Sequence, residues 1–315
     1  MPRNERKNAR FERTRFAPSP TGFLHPGHLR NALWTWGAAK AFGAKVLFRL
    51  EDHDGGRCRG EFAEDAARIL ERFGLVPDEG GPELRQRTRN GRYEELFAGL
   101  AARGLAYGCS CSRQEIARRS GGARAPGEEL AYDGFCRERR LPPGDGLAWR
   151  VRMPDEAVSC RDLLRGTLVQ NPARQCGDLV ARDRLGFWSY QFCVVADDLD
   201  QGVDLVVRGD DLLESCGRQL ALRTMMGGDG AVAFLHHALI LGPGGETLSK
   251  RDGAIPLRDL LDAGESVESL VGKALGLPPL PVGEALERIA EGISRAWKKP
   301  PVRLGGFSVV PRGES

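Results

Sequence analysis

Arg15-Phe-Ala-Pro-Ser-Pro-Thr-Gly-Phe-Leu-His-Pro-Gly-His28 is the stretch around which this chain is organised. It reads as a short strand through Arg15 and Phe16, a proline-stiffened turn, and a helix that begins at His25-Pro26-Gly27-His28. Pro26 suits the first helical position, where a missing N–H costs nothing and a fixed φ is already helical. Leu29, Ala32, Leu33 and Trp36 then recur at i, i+3, i+4 and i+7, so one face of the helix is apolar. Gly43 is its natural stop. A strand that feeds a Gly-containing turn and a helix N-terminus offers backbone N–H groups and the positive end of a dipole, which suits phosphate. Gly27 carries no side chain to obstruct a flat ring. The two histidines add donors for charge that builds up during a reaction.

Composition sets the frame. A chain of 315 residues with 41% hydrophobic and 28% charged residues can bury a large core, and it should hold two or more domains. No apolar run reaches the roughly 18 residues of a membrane span. The N-terminus has no hydrophobic signal core, and Glu5 and Glu12 argue against a transit peptide, so the expected location is cytoplasmic. Eight cysteines in such a chain read as reduced thiols or metal ligands rather than a disulfide framework. A net charge of +3 does not by itself demand nucleic acid.

Strand and helix patterns alternate through the first hundred residues. Lys45–Asp52 reads as a buried strand that ends in acids, Gly60–Phe73 as an amphipathic helix and Tyr93–Arg103 as another. That order predicts a parallel α/β sheet with ligands at the carboxyl ends of its strands. The texture changes near Tyr107, where short strand candidates (Ala148–Met153, Leu168–Gln170, Leu179–Arg184) suggest an inserted domain. Core strands are expected to return at Tyr190–Ala196 and Asp204–Arg208, followed by a helix over Asp210–Met226. The expected division is a flexible tail over 1–13, a first sheet half over 14–106, an insertion over 107–184, a second half over 185–241, a loop and helical unit over 242–280, and an unassigned tail over 281–315, with one helix near Ala285–Trp297. His236-His237 reads as packing at the sheet edge and His53 as polar support beside Glu51.

Within the insertion, Cys109-Ser-Cys111 precedes Tyr132-Asp-Gly-Phe-Cys136. Two thiolates one residue apart and a third beyond a loop can make three corners of a tetrahedron. No histidine lies between residues 53 and 236, so the fourth ligand is Tyr132, an acid such as Glu138, or water.

His25-Pro-Gly-His28 resembles the HIGH motif of class I aminoacyl-tRNA synthetases, and Arg15–Gly22 resembles their glutamate-specific branch. Leu248-Ser-Lys-Arg-Asp252, inside the Gly-rich loop from Gly242, resembles the KMSKS motif of the same class. The resemblance implies a Rossmann-like parallel sheet, interrupted by a zinc-containing insertion and followed by a small helical subdomain. It implies ATP, with Mg²⁺, held by His25, Gly27, His28, Leu248, Ser249 and Lys250. His25 and His28 would then meet the α-phosphate, and Lys250 the leaving pyrophosphate. Thr247 stands where the family's first lysine often sits, which leaves one of two pyrophosphate contacts to Arg251.

For the amino acid, the glutamate-specific family uses Arg15, Ala17, Ser19, Glu51, Tyr190 and Arg208. Two carboxylates want planar forked donors and an ammonium wants a buried acid. Glu51 is therefore expected to take the ammonium, Arg15 with Tyr190 the side-chain carboxylate, and Arg208 the other, although the two arginines could be exchanged. Only about 63 residues follow Asp252, too few for a further sizeable anticodon-reading domain. In that respect the chain resembles the shortened glutamyl-Q branch, which carries the Cys/Cys/Tyr/Cys set and so favours Tyr132 as a ligand to a structural Zn²⁺. That branch activates L-glutamate without tRNA and esterifies it to queuosine in the anticodon of tRNA(Asp). The alternatives are a minimal glutamyl-tRNA synthetase that charges a tRNA 3′ end, or a synthetase-like binding module without catalysis. A monomer is expected, without a membrane partner.

Overall fold

The computed structural model describes residues 11–120, 130–229, 232–240 and 255–297. The chain opens with β1 (Arg13–Phe16), α1 (Pro26–Phe42), β2 (Lys45–Leu50), α2 (Gly60–Arg72), β3 (Glu79–Arg85) and α3 (Asn90–Ala102). Next come β4 (Ala106–Cys109), α4 (Arg113–Arg119), β5 (Ala148–Val151), β6 (Val158–Asp162), β7 (Gly166–Gln170), α5 (Pro172–Cys176) and β8 (Leu179–Arg182). The second half holds α6 (Tyr190–Asp200), β9 (Leu205–Gly209), α7 (Cys216–Met225), β10 (Ala233–His237), α8 (Leu257–Asp262), α9 (Val267–Leu275) and α10 (Val282–Trp297).

Seven strands form one sheet in the order β3-β2-β1-β9-β10-β6-β7, parallel except for the antiparallel hairpin β6–β7. The chain leaves β1 toward β2 and β3 on one side, while β9 and β10 lie on the other. The boundary between β1 and β9 is thus a topological switch point, where the crevice at the strand ends opens. A separate three-stranded antiparallel sheet, β4-β5-β8, forms the body of the insertion.

α1 starts and stops as its residues dictate: Pro26 occupies the first turn and Gly43 takes the left-handed C-cap at φ 70°. Its burial is wider than one apolar face, however. Thr35, Ala38 and Phe42 are buried beside Leu29 and Leu33, and Gly37, one turn beyond Leu33, meets Ile289 of α10. A Cβ on Gly37 would lie 2.5 Å from Ile289 Cγ2, so glycine is what lets the two helices approach. The segment left unassigned as a tail thus supplies Ala285, Ile289 and Ile293 to the main core.

The structure differs from the sequence expectations in five further places. Phe11, placed in a flexible tail, is buried and meets Phe42 edge-on at 5.0 Å. β3 was not expected, because Glu-Gly-Gly-Pro reads as loop; as the edge strand it tolerates Pro82. β6 and β7, assigned to the insertion, extend the large sheet instead. Tyr190–Ala196, read as a core strand, is helical, since Ser189 accepts the Phe192 N–H as an N-cap. His236 and His237 lie on an interior strand rather than at an edge, between β9 and β6.

Candidate active site at the strand switch point

The turn after β1 is held to its neighbours by backbone bonds. Glu51 N–H donates to Pro18 O at 3.1 Å and Arg59 N–H to Pro20 O at 3.1 Å. At the start of α1, His25 is the N-cap: its Nδ1 accepts the Gly27 N–H at 3.1 Å, and His28 Nδ1 accepts the His25 N–H at 3.2 Å. The two rings lie 4.0 Å apart. Because each Nδ1 is an acceptor, a neutral ring carries its proton on Nε2. The Gly27, His28 and Leu29 N–H groups are already bonded to His25, so what this helix start offers phosphate oxygens is two imidazole donors at the positive end of the α1 dipole.

Arg15 is buried at the carboxyl end of β1, with Nε 3.1 Å from Asp198 Oδ2 of α6 and Nη1 3.3 Å from Val207 O. Glu51, just beyond β2, is buried and accepts from Arg49 Nη2 at 3.1 Å. Burial pushes the Glu51 carboxyl above its ordinary range, against the pull of Arg49 and Arg15. The Tyr190 hydroxyl opens α6 within reach of the charges on Glu51, Arg208, Arg15 and Asp198; burial first, then Glu51, pushes its pKa up. Arg208 ends β9 and is buried against His236, Gln219 and Cys216. Arg15, Glu51, Tyr190 and Arg208 therefore converge at the switch point, although Tyr190 arrives on a helix rather than a strand. Ala17 and Ser19 line the same turn, both partly exposed.

Several residues of this cluster escaped the sequence reading. Arg49 has no solvent exposure; it donates to Asp198 at 2.9 Å and Gln201 at 2.5 Å as well as to Glu51. Asp197, also fully buried, accepts from Tyr93, Gln86 and Arg89. An arginine inside the apolar run Val46-Leu-Phe-Arg-Leu50 was the available signal, since a charge in a buried strand demands partners. His53 supports the site through Gln86 Oε1 at 2.7 Å, and its charge also acts on Glu51.

Leu248, Ser249 and Lys250, with Thr247 and Arg251, lie outside the described residues. The chain on both sides of them is tied to α1 and its approach. His237 Nε2 is 3.1 Å from Asn31 Oδ1 and its ring stacks on Trp34, while Leu257 N–H donates to Leu24 O at 2.8 Å, next to His25.

In the insertion, the sulfurs of Cys109, Cys111 and Cys136 lie within 4.8 Å of one another. Cys111 and Cys136 are 3.6 Å apart, close to the roughly 3.8 Å edge spanned by two thiolates about 2.3 Å from one tetrahedral zinc. The Tyr132 hydroxyl joins them, 3.3 Å from Cys109 and 3.9 Å from Cys111. Glu138 is exposed and pairs with Arg152 instead. Burial opposes ionisation of Cys136, yet hydrogen bonds from Ser110 and its neighbours pull it down to about 6, whereas burial pushes Cys111 up to about 11. These donors fit a four-coordinate metal.

Residues 12–276 match the family described as tRNA synthetases class I (E and Q), catalytic domain. The chain is 41% identical over 267 residues to a glutamyl-Q tRNA(Asp) synthetase of Burkholderia orbicola, covering 83% of this chain and 88% of that protein. It is 42% identical over 269 residues to one of Geobacter sulfurreducens, covering 84% of each. Among solved structures, a glutamate tRNA ligase of Elizabethkingia meningosepticum in complex with its amino acid superposes with a TM-score of 0.71 at 27% identity. That match covers 88% of this chain but 64% of the ligase, so the chain spans less than two thirds of its length. The fold and the site thus define a class I tRNA synthetase catalytic domain. Within that class the chain belongs to the glutamyl-Q tRNA(Asp) synthetase family of ligases. Among the described residues no helix is long and apolar enough to cross a membrane.

Proposed function

We propose that this ligase activates L-glutamate with ATP in the absence of tRNA and then esterifies it to queuosine in tRNA(Asp). The observation that carries the proposal is the convergence of Arg15, Glu51, Tyr190 and Arg208 at the strand switch point, one turn of chain from the His25–His28 helix start. Two guanidinium groups, a carboxylate and a phenol match the two carboxylates and one ammonium of glutamate. Glu51 takes the ammonium, Arg15 with Tyr190 the side-chain carboxylate, and Arg208 the reacting carboxylate; Ala17 and Ser19 close the turn around the substrate.

In the reaction, a glutamate carboxylate oxygen attacks the α-phosphorus of Mg²⁺-bound ATP and pyrophosphate departs. Charge accumulates on the α-phosphate oxygens, where His25 and His28 donate and the N-terminus of α1 adds its dipole. Gly27 leaves room for the nucleotide, and Leu248, Ser249 and Lys250 complete the pyrophosphate side. An acceptor hydroxyl then displaces AMP from the glutamyl adenylate. Positioning supplies much of the acceleration, because both reactants are bound before reaction. Cys109, Cys111, Tyr132 and Cys136 would hold a zinc ion, which with four protein ligands would be structural.

Glutamate-dependent pyrophosphate exchange without tRNA is the decisive test. Exchange supports the proposal, exchange only with tRNA supports charging of a 3′ end, and no exchange supports a binding module. Radioactive glutamate then identifies the acceptor nucleoside, and label on the 3′ adenosine would overturn the queuosine assignment.

A further inference from the structure

Arg208 is 3% exposed, and its guanidinium meets three neutral partners. Nε donates to His236 Nε2 at 2.9 Å, Nη1 to Gln219 Oε1 at 2.5 Å, and Nη2 to Cys216 Sγ at 3.4 Å. The face of Phe234 lies 5.1 Å away. Among the described residues no carboxylate pairs with this cation directly, whereas Arg15 has Asp198. Burying a cation without an anion costs several kcal/mol. Its counter-charge stands one imidazole away: His236 Nδ1 is 2.7 Å from Asp162 Oδ2, and neither side chain is exposed.

The hydrogen bonds fix the tautomer. Asp162 also accepts the backbone N–H groups of Leu164 at 2.9 Å and Arg165 at 2.8 Å through Oδ1, so it is an acceptor on both oxygens. His236 Nδ1 therefore carries the proton, and Nε2 presents its lone pair to the Arg208 N–H. A doubly protonated ring would set two donors against each other. The sheet enforces the alignment, since His236 is the register partner of Arg208 on β9, and Phe234, on the same face of β10, is the partner of Asp162 on β6. The relay thus crosses three adjacent strands at their carboxyl ends.

We infer that Asp162 and His236 are positioning residues for amino-acid recognition: they fix the plane of Arg208 while leaving its charge for a substrate carboxylate. Of the two arginines assigned to glutamate, Arg15 shares its charge with Asp198 directly, whereas Arg208 is held by neutral groups and keeps more of its charge for a carboxylate. The inference rests on the reading above that Arg208 binds glutamate.

The test uses the full chain and two substitutions with different geometry. His236→Asn keeps a donor where Nδ1 faces Asp162 and removes the acceptor for Arg208; His236→Gln keeps an acceptor near the Nε2 position. In pyrophosphate exchange, His236→Asn should raise KM for glutamate at least about tenfold, with KM for ATP and kcat within about twofold, and His236→Gln should recover most of the loss. Unchanged KM in His236→Asn, or equal damage to both substrates in both variants, would overturn the relay. Arg208→Ala separates the two ideas: if it leaves KM for glutamate unchanged, the glutamate assignment itself fails. If it raises KM while His236→Asn does not, the relay alone fails. Nitrogen-15 NMR of the unmodified protein needs no variant to fold, and a proton found on His236 Nε2 would equally overturn the inference.

Discussion

Arg49 donates to Asp198 through Nη2 at 2.9 Å from a position with no solvent exposure. The same guanidinium holds Glu51, so it links that acid to Asp198, which Arg15 holds from the other side. Removing one partner of a buried ion pair strands the other charges, typically at about 3–5 kcal/mol. Arg49→Met should therefore lower the unfolding free energy by about that much, seen as a lower urea midpoint at unchanged m, and weaken glutamate binding. Burial opposes ionisation of Asp198, but Arg15 and Arg49 hold its carboxyl below the ordinary range. Its contribution to stability is complete above the unfolded value of about 3.9 and disappears as pH falls through the lower folded value. Acid unfolding of Arg49→Met should begin at higher pH than that of the parent protein.

Glu51 titrates in the other sense. Burial raises its pKa in the ligand-free protein, and an arriving ammonium favours the carboxylate and lowers it again. Glutamate binding should consequently release protons at mildly acidic pH, and affinity should fall as pH drops through the raised value. Calorimetry in buffers of different ionisation enthalpy reads the release directly. Glu51→Gln should abolish it, and a Glu51→Gln protein with unchanged proton release would remove the ammonium from this acid.

Lys250→Ala should slow glutamate-dependent pyrophosphate exchange by about 10²–10³-fold, the usual effect of losing one charged group aimed at a transition state. Glutamate affinity should stay within about twofold, because the lysine meets only ATP in this reading. An undiminished exchange rate would take it out of the mechanism.

Metal analysis should find one zinc per chain, lost in Cys109→Ser or Cys136→Ser together with order in the insertion. Tyr132→Phe should retain zinc with affinity weakened at least about tenfold, a scale already reached by losing outer-shell partners. Unaltered affinity would assign the fourth position to water.

Gly37→Ala tests the packing of α10. The new Cβ would sit 2.5 Å from Ile289 Cγ2, and such overpacking typically costs about 1–3 kcal/mol. Ile289→Ala in the same chain should recover part of the loss in a double-mutant cycle of denaturation midpoints. Purely additive effects would show that the two residues do not share one contact.

Local chemistry made α1 legible in advance: Pro26 and Gly43 act within a few residues of themselves, and so do the apolar spacings of Gly60–Phe73. The histidine pair and the cysteine spacing were legible for the same reason. The placement of Arg49, Asp197 and His236 was not, because a buried charge gains its meaning from strands and helices more than 25 residues distant. Tyr-Gln-Phe-Cys-Val-Val-Ala suits a strand by propensity, yet it is helical, with Ser189 capping its first turn. The sequence by itself determined the turn after β1, the helix it starts and the cysteine cluster. Only the tertiary structure decided that β6 extends the main sheet, that α10 closes over α1, and that Asp162 reaches Arg208 through His236, because strand order and helix docking are set by contacts that no local pattern encodes.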